Sequence, residues 1–132
     1  MKILFVCSGN ACRSPVAEAL LKKLNPEISV HSAGTSAYYK IVEVAKAYLK
    51  LEGAEQYLKM VPQGLEAKKL DEYDLIVAME PRHKVVVLST CPECENKIVV
   101  WNIRDPYFFP NEYSEKIFEQ IGQKVIELAG SL

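Results

Sequence analysis

Short, unbroken apolar runs alternate along the chain with longer stretches in which apolar residues recur every three to four positions. Ile3 to Val6 is continuously apolar, the pattern of a strand covered on both faces by helices. Ser14 followed by Pro15 reads as a capping residue and then the residue favoured at the first helical position, so a helix is predicted to begin there. Ala17, Leu20, Leu21 and Leu24 form its apolar stripe, Glu18, Lys22 and Lys23 fall elsewhere, and Asn25-Pro26 closes it. Ile28 to His31 predicts a second strand. Ile41 to Leu51 repeats the amphipathic period and stops before Gly53. Glu55 to Gly64 favours neither period. Leu75 to Ala78 predicts a third strand with a helix following from Pro81, and Ile98 to Trp101 a fourth. A loop rich in proline and aromatics, Asn102 to Asn111, leads to a last amphipathic helix over Glu112 to Leu128.

Strands alternating with helices predict an α/β fold: a single three-layer α/β/α domain over residues 1–132, with a central four-stranded parallel sheet joined by right-handed crossovers. In such sheets the ligand site lies beyond the carboxyl ends of the strands. Cys7 follows the first strand and Asp105 the fourth, so the two are expected at one edge.

Composition narrows the function classes. With 132 residues, 49% of them hydrophobic, the chain can bury a core of its own. Sixteen basic against seventeen acidic residues give a net charge of -1, with no block of like charge to suggest a nucleic-acid arm or a membrane-binding face. Any anion specificity must be local. Only Lys2 precedes the run Ile3 to Cys7, which is shorter than a signal-peptide core and far shorter than a membrane span. A cytoplasmic location is therefore expected, and the chain is taken to act as a monomer. Its four cysteines are then better suited to catalysis, redox sensing or metal binding than to structural disulfides, unless the source is a hyperthermophile.

The segment Cys7-Ser8-Gly9-Asn10-Ala11-Cys12-Arg13-Ser14 joins strand to helix with a thiol at its start and a guanidinium near its end. A loop curling between them can aim backbone N–H groups of Ser8, Gly9, Asn10, Ala11 and Cys12 inward, and the helix start adds its positive dipole end. Phosphate is the natural guest. Arg13 can offer two parallel donors to two phosphate oxygens, which lysine cannot reproduce, and the same field favours a thiolate at Cys7. Gly9 and Asn10 best tolerate a left-handed backbone and are expected to shape the curl. Ser14 can add a hydroxyl hydrogen bond. The Gly-Lys-Ser/Thr ending of nucleotide-binding loops is absent, so neither ATP nor a metal or other cofactor is implied. Taken singly, Cys7 would more commonly be an inert buried thiol and Arg13 a solvated charge.

Val6 to Pro15, followed by Ala17-Glu18, closely resembles the signature of the low-molecular-weight protein tyrosine phosphatases. Ser32-Ala33-Gly34-Thr35 and Asp105-Pro106-Tyr107 resemble two further segments of that family, in its order. The resemblance implies a phosphotyrosine protein phosphatase I-like fold, Cys7 as nucleophile, Arg13 as phosphate binder, Ser14 and Asn10 as supports of the loop, and Asp105 as general acid. It also implies a metal-free mechanism through a phosphocysteine, with phosphotyrosine proteins or small aryl phosphates as substrates. Independently of the resemblance, Pro106 removes an amide and biases Asp105 toward an extended conformation, stiffening the loop that would carry the acid. Tyr38, Tyr39, Tyr107 and Phe108 can sandwich a phenyl ring or pack in the core; Tyr38 and Tyr107 resemble family positions lining the cleft. The sequence departs from the family at Gly64-Leu65-Glu66-Ala67-Lys68-Lys69, where a histidine or serine followed by Ala-Arg is common, which puts loop support from that side in doubt. His31 and His83 match no motif and are left outside the site.

Cys12 lies within disulfide reach of Cys7 along a curled loop, so reversible inhibition by oxidation is a further expectation. Cys91 and Cys94 open a rival reading. Together they could be half a zinc site, a redox dithiol or a loop-closing disulfide. Thiol-dependent arsenate reductases resemble the same phosphatases and pass oxidation to downstream cysteines, so a reductase using Cys7, Cys91 and Cys94 with a thioredoxin-like reductant is one alternative. Met79-Glu80 stands where those reductases place a relay cysteine, and Asp105-Pro106-Tyr107 favours the phosphatase. A loop that grips phosphate without cutting is the other alternative.

Overall fold

The alternation of side chains along the first strand sets the layers. In the computed structural model, which describes residues 1–106 and 111–132, Lys2–Cys7 forms β1, and every residue of it after Lys2 is buried. Successive side chains of a strand point to opposite faces. Ile3, Phe5 and Cys7 accordingly enter one apolar cluster, and Leu4 and Val6 another. A strand buried on both faces cannot alternate with polar residues, hence the unbroken apolar run.

β2 (Ser29–Gly34), β3 (Leu75–Ala78) and β4 (Ile98–Val100) complete a parallel four-stranded sheet in the order β2-β1-β3-β4. The face bearing Ile3, Phe5 and Cys7 is covered by α1 (Arg13–Leu24), α2 (Glu43–Leu51) and α4 (Asn111–Ser131). On the opposite face lie α3 (Pro81–Thr90) and short 3-10 turns at Leu65–Ala67, Leu70–Glu72 and Pro92–Lys97. This is the three-layer α/β/α arrangement expected from the pattern. Among the described residues, no helix is long and apolar enough to cross a membrane.

The boundaries depart from expectation where polar side chains are buried. β2 runs past His31 to Gly34, because Ser32 is fully buried with its hydroxyl hydrogen-bonded inside, so its polarity does not mark a strand end. α2 begins at Glu43 rather than Ile41, since Val42 is still extended. β4 stops at Val100, and α4 continues to Ser131. Part of the stretch favouring neither period forms a 3-10 turn at Glu55–Tyr57.

Strand order positions the site. From β1 the chain returns to β2 on one side, whereas from β3 it goes to β4 on the other. The connections leaving β1 and β3 therefore diverge and open a crevice at the carboxyl edge between them. The loop that starts at Cys7 and the Met79-Glu80 corner border that crevice.

Candidate active site

The loop from Cys7 to Arg13 is held by its carbonyls. Those of Cys7, Ser8, Gly9 and Ala11 accept the amides of Thr35, Ser36, Tyr38 and Val42 at 2.8–3.0 Å. A trans peptide directs its N–H opposite to its C=O. The N–H groups of Ser8, Gly9, Asn10 and Cys12 consequently face away from the segment after β2, into the concave side of the loop. A row of inward amides beside the start of α1 is an anion cradle. Close approach of the two segments requires Gly34, where a Cβ would fall 2.6 Å from the Ser8 carbonyl oxygen.

Asn10 supplies the left-handed turn at φ 51°, as expected of it. Gly9 does not, which corrects its expected role. It is needed instead because the Tyr38 ring lies against it, 2.9 Å from where a Cβ would stand. Ser14 makes the hydroxyl hydrogen bond expected of it but is not the expected cap. α1 begins one residue earlier, at Arg13, with Cys12 as N-cap, and the Ser14 hydroxyl is turned away from the helix end to the Cys7 sulfur at 2.9 Å.

Arg13 is almost wholly buried, at 1% exposure, so its charge must be paired. Nη1 donates to Glu80 Oε2 and to the Ile103 carbonyl, both at 2.6 Å, and Nη2 stands 3.6 Å from Asp105 Oδ2. These contacts fix the plane of the guanidinium between the β3 and β4 connections. Burial works to raise the Glu80 carboxyl, but the hydrogen bonds and charges of Arg13 and Arg82 outweigh it and hold Glu80 below the usual range. Asp105 is thus brought to the Cys7 loop from the far end of the chain, with about a quarter of its side chain still exposed.

Among known proteins, the family model described as low molecular weight phosphotyrosine protein phosphatase matches residues 2–132. The chain belongs to this family. It is 33% identical over 139 residues to the low molecular weight protein-tyrosine-phosphatase Wzb of Salmonella typhi, covering 99% of this chain and 93% of that one. Wzb of Vibrio vulnificus in complex with benzylphosphonate superposes with a TM-score of 0.90 at 29% identity, over 99% of this chain and 98% of the other. A YwlE arginine phosphatase variant with a phosphorylated active-site serine does so at 0.89 and 26% identity, over 100% and 95%.

As a member of the low molecular weight phosphatases, the chain carries supports that its sequence did not announce. Glu80 is one and His83 another. His83, left outside the site by motif, is 1% exposed and places Nε2 2.9 Å from Ser8 Oγ. Its Nδ1 accepts the Glu80 N–H at 3.1 Å, so the neutral ring carries its proton on Nε2 and donates it to Ser8. Burial, aided by Arg13, pushes His83 down to about 4, which keeps the ring neutral. The signal available was positional: Glu80-Pro81-Arg82-His83 leaves β3 at the switch point and forms a capping box for α3.

A prediction follows for stability. An unfolded chain protonates this histidine near pH 6.5 and the folded chain only near 4, so folding stability is lost as pH falls through that window. His83→Gln removes the titration. The stability advantage of wild type over the variant, read by urea denaturation, should shrink by on the order of 3 kcal/mol between pH 7.5 and 4. A difference that does not vary with pH would contradict this account of His83.

Of the expected substrate walls, Tyr38 and Tyr39 are 44% and 86% exposed, so neither is a core aromatic. Tyr107 and Phe108 lie outside the described residues. Cys12 is not bonded to Cys7; both are free thiols. Burial, with Cys7 and Asp105 nearby, pushes the Cys12 thiol well above the ordinary range, unlike what a second nucleophile would need.

Cys91 and Cys94 are joined in a disulfide, the loop-closing option among those open for the pair. The reductase alternative is corrected on position. α3 carries the chain from the carboxyl edge of β3 back to the start of β4, and both cysteines are buried in the cluster on the opposite sheet face from Cys7. A relay needs thiols within disulfide reach of the nucleophile. The buried Met79 occupies the corner after β3 instead.

Proposed function

We propose that the chain hydrolyses phosphotyrosine and related aryl phosphate monoesters through a phosphocysteine intermediate. The observation that carries this reading is the convergence of Cys7, Arg13 and Asp105 on one crevice, from two ends of the sequence. The Cys7 thiolate attacks phosphorus while the bond to the phenolic oxygen breaks, and Asp105 gives that oxygen its proton. The loop amides and Arg13 hold the equatorial phosphoryl oxygens as charge redistributes. In the second step the Asp105 carboxylate takes a proton from water, whose oxygen attacks phosphorus. The S–P bond breaks, phosphate leaves, and Cys7 returns as thiolate with Asp105 protonated.

Two further points support the reading. The phosphorylated serine in the YwlE variant puts a covalent phosphoryl group at the active site of a structural neighbour. The exposed Tyr38 ring against Gly9 gives the rim an aromatic surface suited to a phenyl ring.

The experiment is a side-by-side assay in reductant, with phosphotyrosine peptide, with phosphoarginine peptide, and with arsenate plus a thioredoxin system. Turnover of phosphotyrosine that survives replacement of both Cys91 and Cys94 by alanine is expected, with none of arsenate. Arsenate turnover lost on that replacement, or phosphoarginine consumed in preference to phosphotyrosine, would overturn the assignment.

A further inference from the structure

The family's common histidine or serine is missing from Gly64 to Lys69, yet the loop is not left unsupported on that side. Lys59 reaches it. Its Nζ stands 2.5 Å from Asn10 Oδ1, 2.9 Å from the Ser32 carbonyl and 3.3 Å from Ser32 Oγ, three acceptors for three ammonium protons. The Gln63 N–H adds a second donor to Asn10 Oδ1 at 2.8 Å.

These contacts decide where protons point. A backbone N–H and an ammonium can only donate, so the Asn10 atom they share must be the carbonyl oxygen, and the amide nitrogen must face the other way. That nitrogen donates to Ser14 Oγ and Ser32 Oγ, each at 2.9 Å. Ser32 in turn gives its own proton to Glu18. Ser14, having accepted from Asn10, keeps its proton for the Cys7 sulfur at 2.9 Å. Asn10 is also the residue that holds the left-handed turn of the loop.

We propose that Lys59 is a positioning residue for the nucleophile: its ammonium joins the Gln63 N–H in holding the Asn10 amide and also ties it to Ser32, and through Asn10 this aims the Ser14 hydroxyl proton at Cys7. The inference rests on the phosphatase reading, since it matters only if the Cys7 sulfur reacts as an anion. Lys59 never touches substrate in this account. It acts from behind the loop, where a neutral side chain could fill space but could not supply three donors.

The surroundings of Lys59 give the proposal a pH signature. Glu18 and Lys22 face it from α1, Lys68 from the segment beyond Leu65–Ala67, and Cys7 from the end of β1. Burial outweighs the favourable charges of Glu18 and Cys7, and together with Lys68 and Lys22 brings Lys59 down to about 8. Above that pH the amine keeps only two protons for three acceptors, and the loop loosens.

The test compares wild type, Lys59→Met and Lys59→Arg by kcat/KM for p-nitrophenyl phosphate from pH 5 to 10, with thermal unfolding of each. Wild type should lose activity along an alkaline limb near pH 8. Lys59→Met should be at least about tenfold slower at pH 6.5, without that limb. Lys59→Arg, whose charge does not titrate in this range, should recover most of the rate, again without the limb. If Lys59→Met gives no folded protein, disappearance of the limb in Lys59→Arg decides. A limb unchanged in the variants would overturn the proposal even if Tm falls, because a merely structural lysine would affect Tm alone. Absence of turnover in wild type would instead defeat the phosphatase reading itself.

Discussion

Cys7→Ser is expected to lower turnover of p-nitrophenyl phosphate at least about a thousandfold while leaving the dissociation constant for inorganic phosphate within a few-fold of wild type. The two halves of that expectation have separate causes. Binding belongs to the loop amides and to Arg13, whose guanidinium plane is set by Glu80 and the Ile103 carbonyl rather than by the residue 7 side chain. Attack belongs to the sulfur. A serine hydroxyl in the same place receives a hydrogen bond from Ser14 but is far harder to ionise than a thiol, and Ser14, itself a hydroxyl, is no base for it. His83 is spent on Ser8, and its ring is held neutral between that hydroxyl and the Glu80 amide. Turnover measured with excess p-nitrophenyl phosphate, and phosphate affinity measured by calorimetry, read the two quantities independently. Retention of turnover in the variant would remove Cys7 as nucleophile. Loss of phosphate affinity together with turnover would mean that residue 7 shapes the cradle rather than attacking from it.

How much of this was legible in the sequence depends on the range of the interaction concerned. The third strand was read to the residue because Leu75 to Ala78 is apolar and flanked by acidic residues, both local facts. The meeting of Cys7, Arg13 and Asp105 at one edge was legible because a strand-to-helix loop and an Asp-Pro corner are each recognised within a few residues. Ser14 was misread as a cap because a serine before a proline has that local meaning; its actual partner is a sulfur across the curled loop. Glu80, His83 and Lys59 were not legible at all as site residues. Each supports the loop from a different connection, and only the strand order, with its switch between β1 and β3, tells which connections meet. A buried polar group in such a network is chosen for its partner rather than for its neighbours in the chain. That is also why the departure at Gly64 to Lys69 looked like a lost support, when an ammonium and an amide from the preceding segment reach Asn10.

Asp105→Asn should separate substrates by leaving group. The carboxyl stands 3.6 Å from Arg13 Nη2, near enough to meet the same phosphoryl group that Arg13 holds, and it retains enough exposure to reach a leaving oxygen at the mouth of the crevice. Asparagine keeps the shape and cannot transfer the proton. General-acid assistance contributes about a hundred- to ten-thousandfold to such steps, and the contribution is greatest where the departing oxygen is most basic. Phosphotyrosine peptide should therefore slow by at least about a hundredfold, whereas p-nitrophenyl phosphate, whose phenolate leaves without help, should slow far less in its first step. Because the same carboxylate activates water in the second step, a burst of p-nitrophenol followed by slow turnover is the further expectation for the variant. The decisive measurement is the dependence of kcat/KM, which reports the first step, on leaving-group basicity across a series of aryl phosphates, which should steepen in Asp105→Asn. A uniform fall across the series would show that Asp105 serves only to pair with Arg13, and no fall at all would place the acid elsewhere.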